Sequence, residues 1–125
     1  MADGTLVSSG TSANIPTGSG SERLRRASIA TLNNGWQEIL SGTAGHIYTI
    51  VSIIFSDQAN ASGLLFIKVN NGSNDIYMLA DQAHTARETF VWNDKFVMEE
   101  DDDLDVYNSG SDGHWWVSYI DQDWT

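Results

Sequence analysis

Histidines and carboxylates are the residues of this chain that could do acid–base or metal chemistry, and their spacing argues against both. The three histidines, His46, His84 and His114, lie in separate segments, without the i, i+2 or i, i+4 spacing that gathers metal ligands. The chain has no cysteine, which excludes thiolate ligands, cysteine nucleophiles and disulfides. We expect each histidine to be a surface residue or a hydrogen-bonded structural one.

The run from Glu99 to Asp105 is the densest group of oxygen ligands in the sequence. Asp101, Asp103 and Asp105 alternate, so they would point to one side of an extended chain. Calcium loops use such oxygens, but the central glycine and terminal glutamate of the usual calcium loop are absent. We therefore expect a solvated acidic turn that leads into a strand, and neither a metal nor any other cofactor.

Motifs for catalysis are also missing from the sequence. It contains no Gly-x-Ser-x-Gly elbow, no phosphate-binding loop and no dinucleotide fingerprint. The carboxylates form a run rather than a pair of groups placed across a cleft. The sequence thus predicts a protein that binds or assembles and is not an enzyme.

Tryptophan is the more informative residue type, with five in 125 residues. Trp115 and Trp116 are consecutive, so on a strand they must face opposite sides. We expect one to fill the core and the other to lie at an edge or interface, and Trp124 is equally hard to bury in so small a monomer. Exposed aromatic residues could contact another subunit or stack on sugar rings. Subunit contact is the favoured use, which makes all three candidate partner-binding residues.

The elements that would position these residues are short β-rich runs separated by turn residues. The predicted strands are Ser28–Leu32, Trp36–Leu40, His46–Phe55, Leu64–Asn70, Ile76–Ala80, Thr89–Trp92, Lys95–Met98, Leu104–Tyr107 and His114–Ile120. The third is apolar on both faces in its second half, which predicts a central strand covered on both sides. This spacing favours an all-β fold, an antiparallel β-sandwich of jelly-roll-like form.

Residues typical of turns separate these strands. Asn71-Gly72 and the segment 109–113 carry the residues of hairpin turns. Only residues 81–88 could form a helical turn, and they lack a sustained apolar face.

Residues 1–27 differ in amino-acid composition from residues 28–125. We predict that residues 28–125 form the β-sandwich domain. Glycine, serine, threonine and alanine dominate the first segment, which predicts a flexible N-terminal arm. The arm closes with Arg23, Arg25 and Arg26, half of the six basic residues in the chain. We expect these arginines to bind a partner when the arm docks on it. A solvated tail without a partner is the alternative.

Net charge limits the partners of the folded part. The chain carries a formal charge of −11, and all acidic residues except Asp3 and Glu22 lie from Ser28 onward. Such a surface repels phosphate backbones and anionic membranes, so we expect neither nucleic acid nor membrane as a partner. The sequence also lacks a membrane-spanning apolar stretch and starts with polar residues, so we expect assembly in a cytoplasm.

Two stretches of the chain resemble small β-sandwich virion proteins of tailed bacteriophages. The first runs from Trp36–Leu40 through His46–Phe55, and the second from Phe96–Glu99 through Asp103–Tyr107 to the last strand. Proteins of that kind serve as capsid decoration (cement) proteins, head fibres or tail components. The resemblance implies a location in the virion and phage capsid or tail proteins as partners.

Together these features predict a virion structural protein, a capsid decoration or attachment protein that docks through its arm and its sandwich edges. We expect a homo-oligomer, with a trimer favoured because it would suit a decoration protein on a lattice with threefold points. The alternative is a carbohydrate- or receptor-binding module of a tail or head fibre, with a glycan as its ligand.

Overall fold

Alternating buried and exposed residues in most segments direct the chain into two antiparallel sheets. A computed structural model describes residues 21–31, 35–110 and 112–125. Its strands are β1 (Ser21–Thr31), β2 (Gly35–Ser41), β3 (His46–Asp57), β4 (Gly63–Asn70), β5 (Asp75–His84), β6 (Thr89–Trp92), β7 (Phe96–Met98), β8 (Asp103–Asn108) and β9 (Gly113–Asp123). Over these ranges there is no helix, and so none that could cross a membrane. The predicted antiparallel β-sandwich is confirmed.

The order of strands in the two sheets is that of a jelly roll. One sheet has the order β1-β9-β3-β6, with β7 also on β3, and the other has the order β2-β8-β4-β5. Because β7 and β6 pair with successive halves of β3, they form one interrupted edge strand. The chain passes repeatedly from sheet to sheet, so most neighbours within a sheet are distant in sequence.

Apolar side chains from both sheets fill the space between them. Burial alternates with period two along β8 and β9, so one side of each strand faces this core. The apolar side chains with no exposed surface are Ile50, Ile53, Phe55, Leu65, Ile67, Met98, Leu104, Val106, Trp115 and Val117. Each contributes roughly 1.5–3 kcal/mol relative to full exposure, which makes this layer the main source of stability.

One buried polar cluster ties the two sheets together. The side-chain oxygen of Asn108 on β8 accepts hydrogen bonds from Thr31 Oγ1 (2.5 Å) and Trp115 Nε1 (3.1 Å). Thr31 lies on β1 and Trp115 on β9, in the opposite sheet. The amide of Asn108 therefore satisfies the buried indole N–H of Trp115 and gives Thr31 Oγ1 a shorter hydrogen bond than its contact with Gly113 O (3.3 Å).

The predicted hairpin turns have different outcomes. Asn71-Gly72 does connect the paired strands β4 and β5, with Gly72 at a φ of 93° and Asn71 N donating to Asn74 O (3.1 Å). The prediction of a hairpin at 109–113 is wrong, because β8 and β9 belong to different sheets. Turn residues reverse the chain in both cases, but only tertiary packing decides whether the flanking strands pair.

Residues 81–88, the segment that could have formed a helical turn, do not form one. Strand β5 continues to His84, with Asp81 at a φ of 54°, and a turn follows in which Glu88 N donates to Thr85 O (3.1 Å). Pairing with β4 supplies hydrogen bonds to this backbone that a single helical turn without an apolar face would lack.

The boundary between arm and sandwich lies earlier than predicted. Residues 21–27, assigned to the flexible arm, belong to β1, which pairs with β9 from Ser21↔Asp123 to Thr31↔Gly113. An edge strand needs backbone pairing and few apolar side chains, which explains how so polar a segment joins the sheet. The prediction for residues 1–20 lies outside the described residues.

Candidate binding surfaces

The histidines are dispersed in the structure, as their spacing predicts. His46 Nδ1 donates to Asp121 Oδ1 (2.7 Å), and the buried His84 Nδ1 donates to Thr85 O (3.2 Å). His114 is exposed at the start of β9. Within the described ranges, no group of histidine and carboxylate side chains is arranged to hold a metal ion.

The acidic run forms a turn and then enters β8. Asp102 N donates to Glu99 O (3.1 Å), while Asp102 Oδ2 accepts from Glu99 N (2.8 Å). Asp103, the first residue of β8, accepts a hydrogen bond from Ser41 Oγ (2.7 Å). The predicted acidic turn before a strand is confirmed.

The consecutive tryptophans face opposite sides of β9. Trp115 has no exposed surface and packs its ring on Phe55, with 4.9 Å between ring centroids. Assigning Trp115 to partner binding was therefore wrong, because its side chain fills the core. Trp116 is 37% exposed on the outer face of the sheet, where it remains a candidate contact residue.

Trp124 lies at the opposite end of β9 from Trp116, so the structure does not bring the candidate tryptophans together. Its ring is 52% exposed and its backbone nitrogen donates to Gly45 O (2.8 Å). It borders an open depression of about 490 Å³ that it shares with Ile47 and with Glu99–Asp101.

The arginines lie on β1, on both of its faces. Arg25 Nη1 is 3.3 Å from Asp121 Oδ2 at one end of the sandwich. Arg26 faces outward and places its guanidinium carbon 4.6 Å from the centroid of the Trp116 ring. Arg23 is exposed on the same strand. Arg25 and Arg26 thus make contacts within the sandwich, while their predicted role toward a partner remains a prediction.

The outer face of the β1-β9-β3-β6 sheet is unusual for so acidic a protein. From Leu24 to Ala30 on β1, and across the residues paired with them on β9, β3, β6 and β7, its outward side chains include no carboxylate and only one formal charge, on Arg26. Its apolar members are Leu24, Ile54, Val91, Val97, Trp116 and Ile120; we call this surface the neutral face. Leu24 is 77% exposed, Val97 55% and Val91 46%.

The prediction that β3 is covered on both sides is therefore wrong for the single chain. Ile54 faces outward on the neutral face and helps line a groove of about 480 Å³ beside Trp116 and His114. The outward apolar residues of β3 are visible in the sequence, but nothing in the described part of the single chain covers them.

Sequence reasoning missed a cluster of aromatic rings on the outer face of the other sheet. Trp36 on β2 lies opposite Tyr107 on β8, which lies opposite Phe66 on β4. Tyr77 on β5 meets Trp36 edge-on, with 6.0 Å between centroids. The four rings, here called the aromatic platform, line a shallow pocket of about 270 Å³. Its rings come from four separate strands, so no local motif could have indicated it.

Charged side chains form the next row along these strands. Lys68 lies opposite both Asp105 and Tyr77, and Asp105 lies opposite Glu38. Lys68 Nζ is 4.2 Å from the centroid of the Trp36 ring and 3.4 Å from Asp75 Oδ2. An ammonium group thus already occupies a cation–π position over the indole.

The carboxyl groups of this row are perturbed by their surroundings. Loss of solvation raises the pKa of Asp105, an effect that Lys68 opposes and the charges of Asp103 and Asp75 reinforce. The pKa of Glu38 is raised by loss of solvation and by Asp103 and Asp105. That of Asp75 is lowered, chiefly by the hydrogen bond from Asn70. Asp105 and Glu38 therefore carry charge at neutral pH at a cost to the folded state.

Replacing Asp105 by asparagine is expected to raise the melting temperature at pH 7. A carboxyl whose pKa is raised on folding destabilises the folded state when ionised, and this penalty disappears as pH falls through the folded pKa. The gain should therefore shrink as the pH approaches about 4, the ordinary value for aspartate. Thermal melts of both proteins between pH 7 and pH 4 measure this gain.

Asp75→Asn is the control. The pKa of Asp75 is shifted in the opposite direction, so this substitution should lower the melting temperature at pH 7. A lower melting temperature for Asp105→Asn at pH 7 would contradict the account.

No protein-family model and no curated protein matches the chain. Among solved structures, it is similar to a chain from Bacillus endospore appendages, described as a family of disulfide-linked pili. The two are 12% identical with a TM-score of 0.44, over 94% of this chain and 100% of that one. A similarity this low supports no inference about function.

Proposed function

We propose that this protein is a structural subunit of a bacteriophage virion, a capsid decoration or attachment protein that assembles as a homo-oligomer through its neutral face. The observation that carries the assembly is the absence of carboxylates from this one large surface of an acidic chain. The virion setting rests on the resemblance of its strand and turn pattern to phage β-sandwich proteins. Its binding site on the particle would involve capsid or tail proteins.

Electrostatics favours a second copy of this chain as the occupant of the neutral face. Two copies of a protein with a formal charge of −11 repel each other wherever acidic surfaces meet. Contact through the neutral face keeps the carboxylates apart and removes Leu24, Val91 and Val97 from water. It would also cover the outer side of β3, which accounts for the apolar residues on both faces of that strand.

The size of the neutral face is adequate for such a contact. Four strands about 4.8 Å apart, with outward residues about 7 Å apart along each, give roughly 500 Å² on each subunit. A standard interface buries about 800 Å² per partner, so this face would supply most of it. A twofold contact would use the whole face between two subunits, whereas in a trimer each subunit would divide the face between two neighbours and would need further surface to complete each contact.

Replacing Val97 by aspartate is expected to weaken self-association about 30-fold, because a carboxylate would replace an apolar side chain that the contact removes from water at the β7 edge of the neutral face. Sedimentation equilibrium measures the mass, which should be a multiple of 13.7 kDa for the unmodified chain. Ile76→Asp is the matched control, since Ile76 is a similarly exposed strand residue outside the neutral face (48%). It should leave the mass unchanged.

A mass of 13.7 kDa for the unmodified chain at high micromolar concentration would refute the assembly. The virion role is tested separately, by co-sedimentation of the protein with candidate phage heads and tails. Saturable binding to one of these particles supports the role, and binding to none of them contradicts it.

A further inference from the structure

The aromatic platform is a second outward surface of the molecule, on the opposite side of the sandwich from the neutral face. Trp36 is 38% exposed and Tyr77 53%, although both belong to regular strands. Phe66 and Tyr107 support them, with ring centroids 6.1 Å and 5.3 Å from that of Trp36. Rings packed against one another on a sheet are held in place, so a ligand would find them already arranged.

Hydrogen-bonding groups border the rings on the same sheet face. Lys68 lies between Tyr77 and Asp105 across the sheet, and Glu38 lies on the other side of Asp105. This row is one outward position, about 7 Å, from the row of Trp36, Tyr107 and Phe66. Apolar rings with a few polar groups at their border are the usual composition of a small-ligand site.

We propose that the aromatic platform binds a neutral saccharide. The C–H face of a sugar ring would lie on the Tyr77 ring and against the exposed part of Trp36, whose plane is 74° from that of Tyr77, where it removes apolar surface from water. Sugar hydroxyls would donate to the carboxylates of Asp105 and Glu38 and accept from Lys68. Hydrogen bonds to charged groups are stronger than neutral ones, which offsets the loss of hydration of the hydroxyls.

Charge at the site selects against other ligands. Glu38, Asp75, Asp103 and Asp105 outnumber Lys68 on this outer face, so sialylated, uronic or phosphorylated ligands would be repelled. A ligand cation at the indole would have to displace Lys68, whose ammonium lies 4.2 Å from the Trp36 ring centroid and is paired with Asp75, whereas a sugar on the Tyr77 ring leaves this ammonium in place. A neutral ligand with many hydroxyl groups satisfies both conditions.

The test is calorimetric titration and an array of oligosaccharides with the full-length protein. The uncharged ligands are oligomers of glucose, mannose and N-acetylglucosamine, and the anionic ligands are sialylated and uronic oligosaccharides. Tetramethylammonium is the cationic probe. We expect the protein to bind only uncharged oligosaccharides. Trp36→Ala and Tyr77→Ala should each weaken it about 30-fold, as for a hot-spot aromatic residue. Trp124→Ala, which removes an exposed tryptophan elsewhere, should leave it unchanged.

Circular dichroism and melting curves verify that the variants remain folded, and Tyr77→Ala decides the question if Trp36→Ala unfolds. Millimolar or tighter binding of a neutral oligosaccharide that Tyr77→Ala removes supports the site. Three results would overturn the proposal: no binding of uncharged oligosaccharides, a preference for the anionic or cationic ligands, or binding that Tyr77→Ala does not change. The Val97→Asp variant separates this proposal from self-association, because its platform is intact and should bind the sugar with unchanged affinity per chain.

Discussion

Replacing Trp115 by alanine should lower the free energy of unfolding by about 3–5 kcal/mol, the range for truncating a buried tryptophan. The ring has no exposed surface, packs on Phe55 and fills space between the two sheets. Its removal leaves a cavity that strands on both sides cannot close without losing register. It also removes a donor to Asn108. Urea unfolding at low protein concentration measures the change.

Trp124→Ala is the control for this prediction. The same side chain is deleted, but at a position 52% exposed near the chain end, so the loss should be less than about 1 kcal/mol. Equal losses in the two variants would mean that Trp115 is not the core residue described here.

Replacing Asn108 by alanine should cost about 2–4 kcal/mol, because two buried donors lose their acceptor. Thr31 Oγ1 and Trp115 Nε1 both donate to the Asn108 amide oxygen, and both residues are buried; Thr31 Oγ1 keeps only a longer contact to Gly113 O (3.3 Å). Asn108 also joins β8 to strands of the other sheet, so the effect should appear in global unfolding. Denaturant titration followed by tryptophan fluorescence is a direct measurement, since one of the donors is an indole.

Asn93→Ala, at an exposed position, should change stability by no more than about 0.5 kcal/mol. Adding Thr31→Val to Asn108→Ala should cost less than Thr31→Val costs alone, because the hydroxyl has already lost its Asn108 acceptor. Strict additivity of the two substitutions would show that they act independently and would contradict the cluster.

The fold class and most strand positions could be predicted from local chemistry. Alternation of apolar and polar residues, β-branched runs and turn residues such as Asn71-Gly72 act over a few neighbours, so they can be recognised without tertiary information. The same local logic placed Trp115 and Trp116 on opposite faces of one strand. It could not say which of them is buried, because that depends on where the second sheet lies.

Pairing between distant segments was decided only by the tertiary structure. Residues 21–27 look like a solvated arm by composition, yet they join a sheet because β9 offers them a backbone partner. The segment 109–113 has hairpin chemistry but connects two sheets. In each case, the pairing of the strand depends on the free energy gained when apolar faces are buried elsewhere in the sandwich.

Both candidate surfaces arise in the same way. By itself, the sequence determined an acidic β-sandwich with apolar residues on both faces of β3, because composition and period are local properties. Tertiary structure alone brought Trp36, Phe66, Tyr77 and Tyr107 together from four strands and placed outward side chains without carboxylates next to one another on the neutral face. Cross-strand neighbours depend on strand order and register, which many distant contacts determine jointly, so no single stretch of sequence contains them.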